Sequence, residues 1–294
     1  MWDHYLIAES VTDTLQKLAS FEGQARIIAG GTDLVLQAQR GKCLSRVMVD
    51  VTHIAGLDHI AEKEGYIHIG ATATHAQIAA SPLIQAKAPV LARACASVGG
   101  PQVRNVATLV GNVVNALPAA DGAVALFALD AQVQVATLEG REWMPIAELY
   151  ENVGVCTIDP CIQMVTALRF RPLGPDARSD FQRLGRRRAL VLPTLNVASV
   201  VEIRDGHFAD IRIAVGPVAP TPFRAQAAEQ ALISRPVEQA LIEQAAKLTA
   251  ADARPRSSTL RGSRPYRTAM VEVLVRRAII AATKQAGATT QAAE

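Results

Sequence analysis

Two adjacent glycines near the start of the chain, Gly30 and Gly31, restrict the fold more than any other feature of the sequence. The residues before them, 25–29, form a β-rich run, whereas residues 34–40 favour a helix that can end at Gly41. The pattern predicts a strand, a tight turn and a helix. Such a turn leaves main-chain N–H groups free, and they suit a phosphate because glycine has no side chain to block its approach. A plain connector between strand and helix fits the same residues.

The segments around this turn indicate a mixed organisation of helices and strands. A helix is predicted over residues 10–20, with Ser10 or Thr12 as its N-cap, and a short strand is predicted over residues 46–51. We expect further elements in the order strand 66–71, helix 75–80, helix 83–98, strand 132–136 and strand 163–170. The first part of the chain is therefore expected to be α+β.

A stretch rich in proline and glycine, residues 171–176, is the best candidate for a linker, so we divide the chain near residue 175. The dipeptide Asp205-Gly206 is typical of a tight hairpin between two strands. Around it we expect strands at 181–184, 195–203 and 207–215, followed by helices at roughly 224–250 and 265–284. The second part is therefore predicted to be a small sheet followed by helices.

Composition supports a packed core and excludes several kinds of partner. Hydrophobic residues make up 50% of the chain and charged residues 19%, so a core is well supplied. The net charge of +3 is small and the basic residues are scattered, which gives no electrostatic case for binding nucleic acid. No apolar stretch approaches the roughly 18 to 20 residues that span a bilayer. The N-terminus also lacks the pattern of a signal peptide, so we expect a cytoplasmic protein.

The cysteines and histidines do not predict a metal site. The chain has four cysteines, of which only Cys156 and Cys161 lie near each other, and none of its six histidines accompanies them. An iron–sulfur cluster usually needs four ligands and a structural zinc needs a similar set. We therefore predict neither a cluster nor a zinc ion on this chain.

A second segment, residues 102–121, crowds small residues and side-chain amides into otherwise apolar sequence. A large planar ligand could lie against the main chain of such a stretch while threonine, asparagine and aspartate side chains bind its polar edge. The alternative is a buried irregular loop whose polar side chains satisfy their own main chain.

Taken together, several segments resemble the FAD-binding (medium) subunit of the molybdenum hydroxylases, the family of xanthine dehydrogenase and carbon monoxide dehydrogenase medium subunits. The segments are 29–34 (AGGTDL), 104–112 (RNVATLVGN), 118–121 (PAAD) and 256–267 (RSSTLRGSRPYR). The resemblance implies a vanillyl-alcohol-oxidase-like (PCMH-type) FAD-binding domain over residues 1–175, with two α+β subdomains at about 1–55 and 56–175. It also implies a C-terminal domain, 176–294, with an antiparallel sheet and helices.

The resemblance also implies which residues hold FAD. Residues 27–34 would hold its pyrophosphate, a second group would continue that cradle, and others would contact the cofactor further along. The implied cofactor-binding residues are Ile27, Ile28, Ala29, Gly30, Gly31, Thr32, Asp33, Leu34, Thr108, Gly111, Asn112, Asp121, Val165 and Gln182. The resemblance implies no catalytic residue and no metal ligand on this chain.

One position departs from the family pattern. Where the family has Thr-x-Gly-Gly-Asn, this chain has Val110 in place of the first glycine. A β-branched side chain adds bulk and disfavours a positive φ. We expect ordinary β backbone at this position with the valine pointing away from FAD, since Gly111 and Asn112 are retained.

By resemblance, the chain is expected to be the FAD-carrying electron-transfer subunit of a heterotrimeric oxidoreductase. A small partner subunit would carry [2Fe-2S] clusters, a large one would carry molybdopterin, and NAD or another acceptor would receive the electrons from FAD. The alternative is a flavin-less structural subunit of the same kind of complex, for which Val110 is the only support. A stand-alone flavin oxidase would need an active-site base, for which the sequence offers no clear candidate.

Overall fold

The computed structural model describes residues 2–187 and 189–291, in which helices and strands alternate. The strands are His4–Ile7 (β1), Ala25–Ile28 (β2), Val47–Asp50 (β3), Ile60–Lys63 (β4), Tyr66–Gly70 (β5), Gln132–Ala136 (β6), Arg141–Pro145 (β7), Tyr150–Asn152 (β8), Val155–Cys156 (β9), Met164–Phe170 (β10), Ala177–Leu184 (β11), Leu195–Arg204 (β12), His207–Gly216 (β13) and Phe223–Arg224 (β14). The helices are Val11–Ser20 (α1), Leu34–Gln39 (α2), His75–Ala80 (α3), Pro82–Lys87 (α4), Pro89–Ser97 (α5), Pro101–Arg104 (α6), Leu109–Val114 (α7), Asp121–Ala128 (α8), Gln226–Leu232 (α9), Gln239–Asp252 (α10) and Arg264–Gln291 (α11).

The first sheet is parallel and has the order β1-β3-β2. Helix α1 joins two of its strands, and it begins as predicted because the Ser10 hydroxyl accepts a hydrogen bond from the Asp13 amide at 3.0 Å. Leu15 and Leu18 on this helix are buried and belong to the same hydrophobic cluster as Val49 of β3. The carboxyl end of β2 leads directly into the turn that contains Gly30 and Gly31.

The second sheet is antiparallel and has the order β4-β5-β10-β6-β7. Alternate residues of its strands, such as Ile67, Ile69 and Val133, are buried in the same hydrophobic cluster as helices α3, α5 and α8. The polar residues between them include Arg169, whose guanidinium lies 4.6 Å from the ring centre of Tyr66. One apolar face of this sheet therefore packs against helices α3, α5 and α8.

The third sheet is antiparallel and has the order β11-β12-β13-β14. Strands β12 and β13 form the predicted hairpin, and Asp205 and Gly206 at its turn have φ values of +49° and +72°. Helices α10 and α11 bury apolar residues against this sheet, as Val197, Ala246 and Val275 lie in one hydrophobic cluster. The predicted α+β class, with a C-terminal antiparallel sheet and helices, is confirmed.

Several predicted elements were wrong in extent. The helix expected over 83–98 is interrupted at Ala88, because Pro89 starts a new helix. The helix expected over 224–250 is two helices, α9 and α10, separated by a segment that contains Pro236. Strands such as β1, β4 and β7 were not predicted.

The division of the chain near residue 175 stays a prediction. The apolar residues form two clusters, but the first of them also takes in Ala198, Val200 and Ala214 from strands β12 and β13. The C-terminal sheet therefore packs on the helices of the first part of the chain. Each helix among the described residues is either too short or too polar to span a lipid bilayer.

Candidate functional site

Gly30 brings the two segments singled out in the sequence into contact. A Cβ atom at position 30 would lie 1.9 Å from the carbonyl oxygen of Val106 and 3.0 Å from the Cα atom of Ala107. No side chain fits in that space, so the turn after β2 packs directly on the main chain of the second segment. The neighbouring Gly31 has a φ of +65°, a conformation that residues with side chains rarely adopt.

The turn leaves main-chain donors available. Among the described residues, the amides of Gly30, Gly31, Thr32 and Asp33 donate to no main-chain acceptor. Asp33 occupies the N-cap position of α2, but its side chain makes no capping hydrogen bond. Several consecutive free amides beside two glycines suit an anion such as a diphosphate.

The segment that meets Gly30 is itself held by hydrogen bonds to the start of α3. The Ala107 carbonyl accepts from the His75 amide at 3.0 Å, and the Leu109 amide donates to the Ala73 carbonyl at 3.2 Å. Thr108 then caps α7, because its hydroxyl accepts from the Gly111 amide at 3.0 Å. The site formed by residues 30–33 and 106–112, called the cradle from here on, therefore lies against the N-terminal ends of two capped helices, α3 and α7.

Asn112 carries a polar atom without a partner in this region. Its Oδ1 atom is buried and receives no hydrogen bond from the described residues. The same atom lies 3.0 Å from the position that a Cβ of Gly122 would occupy, so the amide packs against the start of α8. A buried acceptor without a donor is unusual in a folded protein, and it fits a site that a ligand or ordered water completes.

A second bridge across the cradle was not predicted. Gln37 on α2 donates from Nε2 to Oδ1 of Asn115, just after α7, at 3.3 Å. Neither residue carries a sequence signal that could have indicated this contact, since single amides are common in helices. This hydrogen bond joins the helices that follow the two segments, α2 and α7, so the contact between the segments extends beyond the turns.

Val110 does not adopt the predicted β backbone. It lies in the first turn of α7 and is therefore helical, because Thr108 rather than a later residue is the N-cap. Its side chain is buried in the hydrophobic cluster with Leu109 and Val113. The valine thus packs into the core, and its position gives no support to the alternative of a flavin-less subunit.

The side chains around the turn after β2 mainly pack beneath it and support its main chain. Ile28 is buried beneath Gly31, and its Cδ1 atom lies 3.3 Å from the position that a Gly31 Cβ would take. Ile27 and Ala29 are partly buried and pack against the first hydrophobic cluster. Thr32 and Leu34 are half-buried. Residues 27–34 therefore present main-chain groups and small polar side chains to the cradle.

Asp121 is buried, and its partners come from the C-terminal sheet. Its carboxylate accepts from Nε of Arg183 at 3.1 Å and from Nδ2 of Asn196 at 2.8 Å. Burial raises the pKa of this carboxyl, while Arg183 and Asn196 act in the opposite direction. In this structure, Asp121 joins α8 to the third sheet.

Val165 and Gln182 lie on strands β10 and β11, which do not form part of the cradle. Val165 is buried in β10, opposite Val135 of β6. Gln182 is half-buried in β11, and its side-chain amide donates to Asp180 at 2.6 Å. Among the described residues, none of the hydrogen bonds joins either side chain to residues 27–34 or 108–112. The structure thus brings together the two glycine-containing segments, whereas these two positions stay predictions.

His75 is buried beside the cradle, and this makes stability depend on pH. Burial, with a smaller effect of Arg104, lowers its pKa from 6.5 to about 4. Because only the unfolded chain takes up this proton near pH 5, the contribution of His75 to stability is present above pH 6.5 and is lost as the pH falls towards 4. We expect the free energy of unfolding to fall by about 2 kcal/mol between pH 7.5 and pH 5 on account of this residue.

Urea unfolding of the wild type and of His75→Gln at both pH values measures this effect, since the glutamine variant keeps the other titrating groups. The variant should lose about 2 kcal/mol less stability on acidification than the wild type. The same pH dependence in both proteins would show that His75 takes up its proton equally in the folded and unfolded chain.

In the part of the chain that is described, no group of three or more histidine, cysteine, aspartate or glutamate side chains could hold a metal ion. The four cysteines, which include Cys156 and Cys161, are all free.

Comparison with known proteins identifies relatives over nearly the whole chain. Residues 2–170 match the family described as the FAD binding domain in molybdopterin dehydrogenase, and residues 181–282 match the CO dehydrogenase flavoprotein C-terminal domain. The chain is 30% identical over 289 residues to the xanthine dehydrogenase FAD-binding subunit of Escherichia coli O157:H7, with 98% of each protein covered. It is 31% identical to the 6-hydroxypseudooxynicotine dehydrogenase complex subunit alpha of Paenarthrobacter nicotinovorans, covering 98% of this chain and 96% of that subunit.

A solved structure agrees with these relatives. A chain of carbon monoxide dehydrogenase from Hydrogenophaga pseudoflava, in a form that lacks the Mo-pyranopterin moiety of the molybdenum cofactor, superposes with a TM-score of 0.93 at 27% identity. The match covers 97% of this chain and 98% of that chain. The similarity therefore extends over both parts of the molecule, including the C-terminal sheet and helices.

Proposed function

Because the chain belongs to the family of FAD-binding subunits of the molybdopterin dehydrogenases, we propose that it is the electron-transfer subunit of a molybdenum hydroxylase in the cytoplasm. In this proposal a small partner subunit carries [2Fe-2S] clusters, a large one carries the molybdopterin cofactor, and NAD or another acceptor receives the electrons. The chain itself carries an FAD-binding domain, and its relatives are oxidoreductase subunits.

The observation that carries the proposal is the contact of Gly30 with the main chain of Val106 and Ala107. It places the free amides of residues 30–33 next to the segment that Thr108 caps. Glycines, free amides and a side-chain hydroxyl that lie close together fit a diphosphate, which needs several donors at short range. In this proposal Gly30, Gly31, Thr32, Thr108 and Gly111 hold the FAD diphosphate.

The buried Oδ1 atom of Asn112 also fits this cofactor. FAD has amide and hydroxyl hydrogens that can donate to such an acceptor, and a donor there would satisfy an atom that has no partner within the described chain. When bound, FAD supplies the redox chemistry, accepting and releasing one or two electrons. The residues of this chain bind it, orient it and exclude water from its diphosphate.

Three other residues, by resemblance, belong to the cofactor site further along the chain. Asp121 is fixed by Arg183 and Asn196, so it serves chiefly to hold the C-terminal sheet against α8. Val165 offers an apolar surface and Gln182 a polar one, and in this proposal they line the part of the cofactor that lies beyond the diphosphate. Ile27 and Ala29 pack against the first hydrophobic cluster, and the buried Ile28 side chain lies beneath Gly31.

Flavin binding by the purified chain tests the proposal. The refolded or recombinant chain should take up one equivalent of FAD, seen as flavin absorbance that stays with the protein through gel filtration. FMN, which lacks the diphosphate, should bind at least about tenfold more weakly, since hydrogen bonds to charged groups are worth 1.5–3 kcal/mol each. If circular dichroism and thermal unfolding show that the chain is folded and it still retains no flavin, the proposal is contradicted.

A further inference from the structure

One short segment of the C-terminal part concentrates positive charge, as an exception to the otherwise scattered basic residues. Between residues 253 and 271 the chain has five arginines and no aspartate or glutamate, although its net charge is only +3. The rest of the chain therefore carries a small net negative charge. Among the described residues, none of the five forms an ion pair; they are Arg254, Arg256, Arg261, Arg264 and Arg267.

Arg267, near the start of α11, is a buried cation without an anionic partner. Only 4% of the residue is exposed. Its Nη1 atom donates to the Arg256 carbonyl oxygen at 2.7 Å, and its Nη2 atom donates to the carbonyl oxygens of Thr194, at 3.3 Å, and Pro217. Its Nε atom has no partner among the described residues. Carbonyl oxygens carry no net charge, so the positive charge of Arg267 stays uncompensated, which is costly for a buried group.

The arginines of this segment lie close enough to repel one another. Burial, together with the positive charges of Arg261 and Arg256, lowers the pKa of Arg267. Burial and the charge of Arg256 likewise lower the pKa of Arg261. An anion that binds beside these groups relieves the repulsion, because each attraction replaces an unfavourable contact between like charges.

Three serine hydroxyls in the loop before α11 are free to donate hydrogen bonds. Each hydroxyl oxygen accepts from a main-chain amide, at 3.0, 3.2 and 3.4 Å; the pairs are Ser257 with Arg264, Ser258 with Leu260, and Ser263 with Tyr266. Within the described residues, none of these hydroxyls donates its own hydrogen to an acceptor. A hydroxyl can accept and donate at the same time, so the loop offers three neutral donors beside its arginines.

An open groove beside the loop gives a ligand room. It lies between the end of α10 and the start of α11, has a volume of about 560 Å³, and is lined by Arg254 and Arg264. Glu272 is the acidic residue in its lining, and it forms no ion pair with either arginine among the described residues. The lining therefore carries a net positive charge, and the volume is in the range of small-molecule sites.

We propose that residues 254–267 form a binding site for a small anion that carries one or more phosphate groups. The site shares no residue with the cradle, and the inference goes beyond the proposed function because it does not depend on FAD. A guanidinium group pairs with two phosphate oxygens at once, which suits Arg256 and Arg264 to this role. The serine hydroxyls donate to the remaining oxygens, and the groove holds the rest of the ligand.

Calorimetric titration of pyrophosphate into the FAD-saturated chain tests the inference, because FAD then occupies the cradle. Ionic strength is held constant with sodium chloride, so that general screening of charge does not change. We expect the wild type to bind one equivalent of pyrophosphate. Arg256→Gln should weaken this binding by at least about tenfold, the value of one hydrogen bond to a charged group.

A matched variant and a measure of folding serve as controls. Arg256→Gln should leave the fold intact, because the main-chain carbonyl of residue 256, and not its side chain, accepts from Arg267. Arg141→Gln removes an exposed positive charge in β7 and should bind pyrophosphate as the wild type does. Pyrophosphate should raise the Tm of the wild type and of Arg141→Gln more than that of Arg256→Gln. Arg264→Gln takes the place of Arg256→Gln if that variant does not fold.

Three results would overturn the inference. The folded wild-type chain would bind no pyrophosphate, or Arg256→Gln and Arg141→Gln would bind it equally well, which would place the anion elsewhere. Poly-L-glutamate that binds as tightly as pyrophosphate would mean that this surface fits an acidic protein instead. A chain that takes up no FAD contradicts only the proposed function, because the effect of Arg256→Gln on pyrophosphate binding is then measured without FAD.

Discussion

Replacing Gly30 with alanine is expected to abolish FAD binding and to destabilise the fold. The added Cβ atom would lie 1.9 Å from the Val106 carbonyl oxygen, so the turn after β2 and the second segment must move apart. Both sides of this contact are main chain, so no flexible side chain can move to relieve the clash. Overpacking of this kind costs about 1–3 kcal/mol and sometimes more. The separation also spreads the diphosphate donors, so we expect a loss of FAD affinity of more than about a hundredfold, since each charge-assisted hydrogen bond is worth 1.5–3 kcal/mol.

Titration of FAD, with urea unfolding of the same preparations, measures both effects. Gly140→Ala is the matched control, because a Cβ atom there would meet nothing within 4 Å. We expect this control to bind FAD as the wild type does and to change the free energy of unfolding by less than about 0.5 kcal/mol. Gly30→Ala with wild-type stability and wild-type affinity would show that the two segments do not touch as described.

Replacing Asp121 with alanine is expected to cause the largest loss of stability among single changes outside the cradle. The change leaves the Arg183 guanidinium, with 12% of its side chain exposed, without its anion, and it leaves the buried Asn196 amide without its acceptor. Removing one partner of a buried ion pair typically costs about 3–5 kcal/mol. Chemical unfolding in urea gives this number directly.

A matched surface pair provides the control for Asp121. Asp3 and Arg46 form an ion pair whose side chains are 44% and 68% exposed, and Asp3→Ala should cost less than about 1 kcal/mol. Asp121→Ala combined with Arg183→Met should recover part of the loss, because the double variant no longer buries an unpaired charge. A single Asp121 variant as mild as the Asp3 variant would mean that α8 and the third sheet are not joined through this carboxylate.

The local features of the fold could be predicted from the sequence where a short-range signal exists. Ser10 caps α1 and Asp205-Gly206 turns the β12–β13 hairpin, because each depends on one or two residues and their own main chain. The break of the expected helix over 83–98 at Pro89 is also a local effect, and it was missed because the alanine-rich residues on both sides favour a helix equally. Edge strands such as β4 could not be predicted, since exposed polar residues alternate with little apolar pattern.

Local patterns alone predict the candidate site as two separate segments, and only the family resemblance predicted that they form one site. Gly30 and Thr108 carry recognisable local patterns, yet nothing in a single sequence states that the main chain at Val106 lies against Gly30. Long-range partners of buried polar groups are equally hard to predict, which is why the hydrogen bonds of Asp121 with Arg183 and Asn196 were not expected. Val110 was misjudged because the position of the helix cap, Thr108, decides its backbone.

Amide hydrogen exchange of the chain with and without FAD tests the central claim most directly, because it reports on both segments at once. If the diphosphate lies between them, FAD should slow exchange at the amides of residues 30–33 and 108–112 together, and little elsewhere in the third sheet beyond β11. Protection confined to one of the two segments, or to the C-terminal helices α10 and α11, would contradict the account.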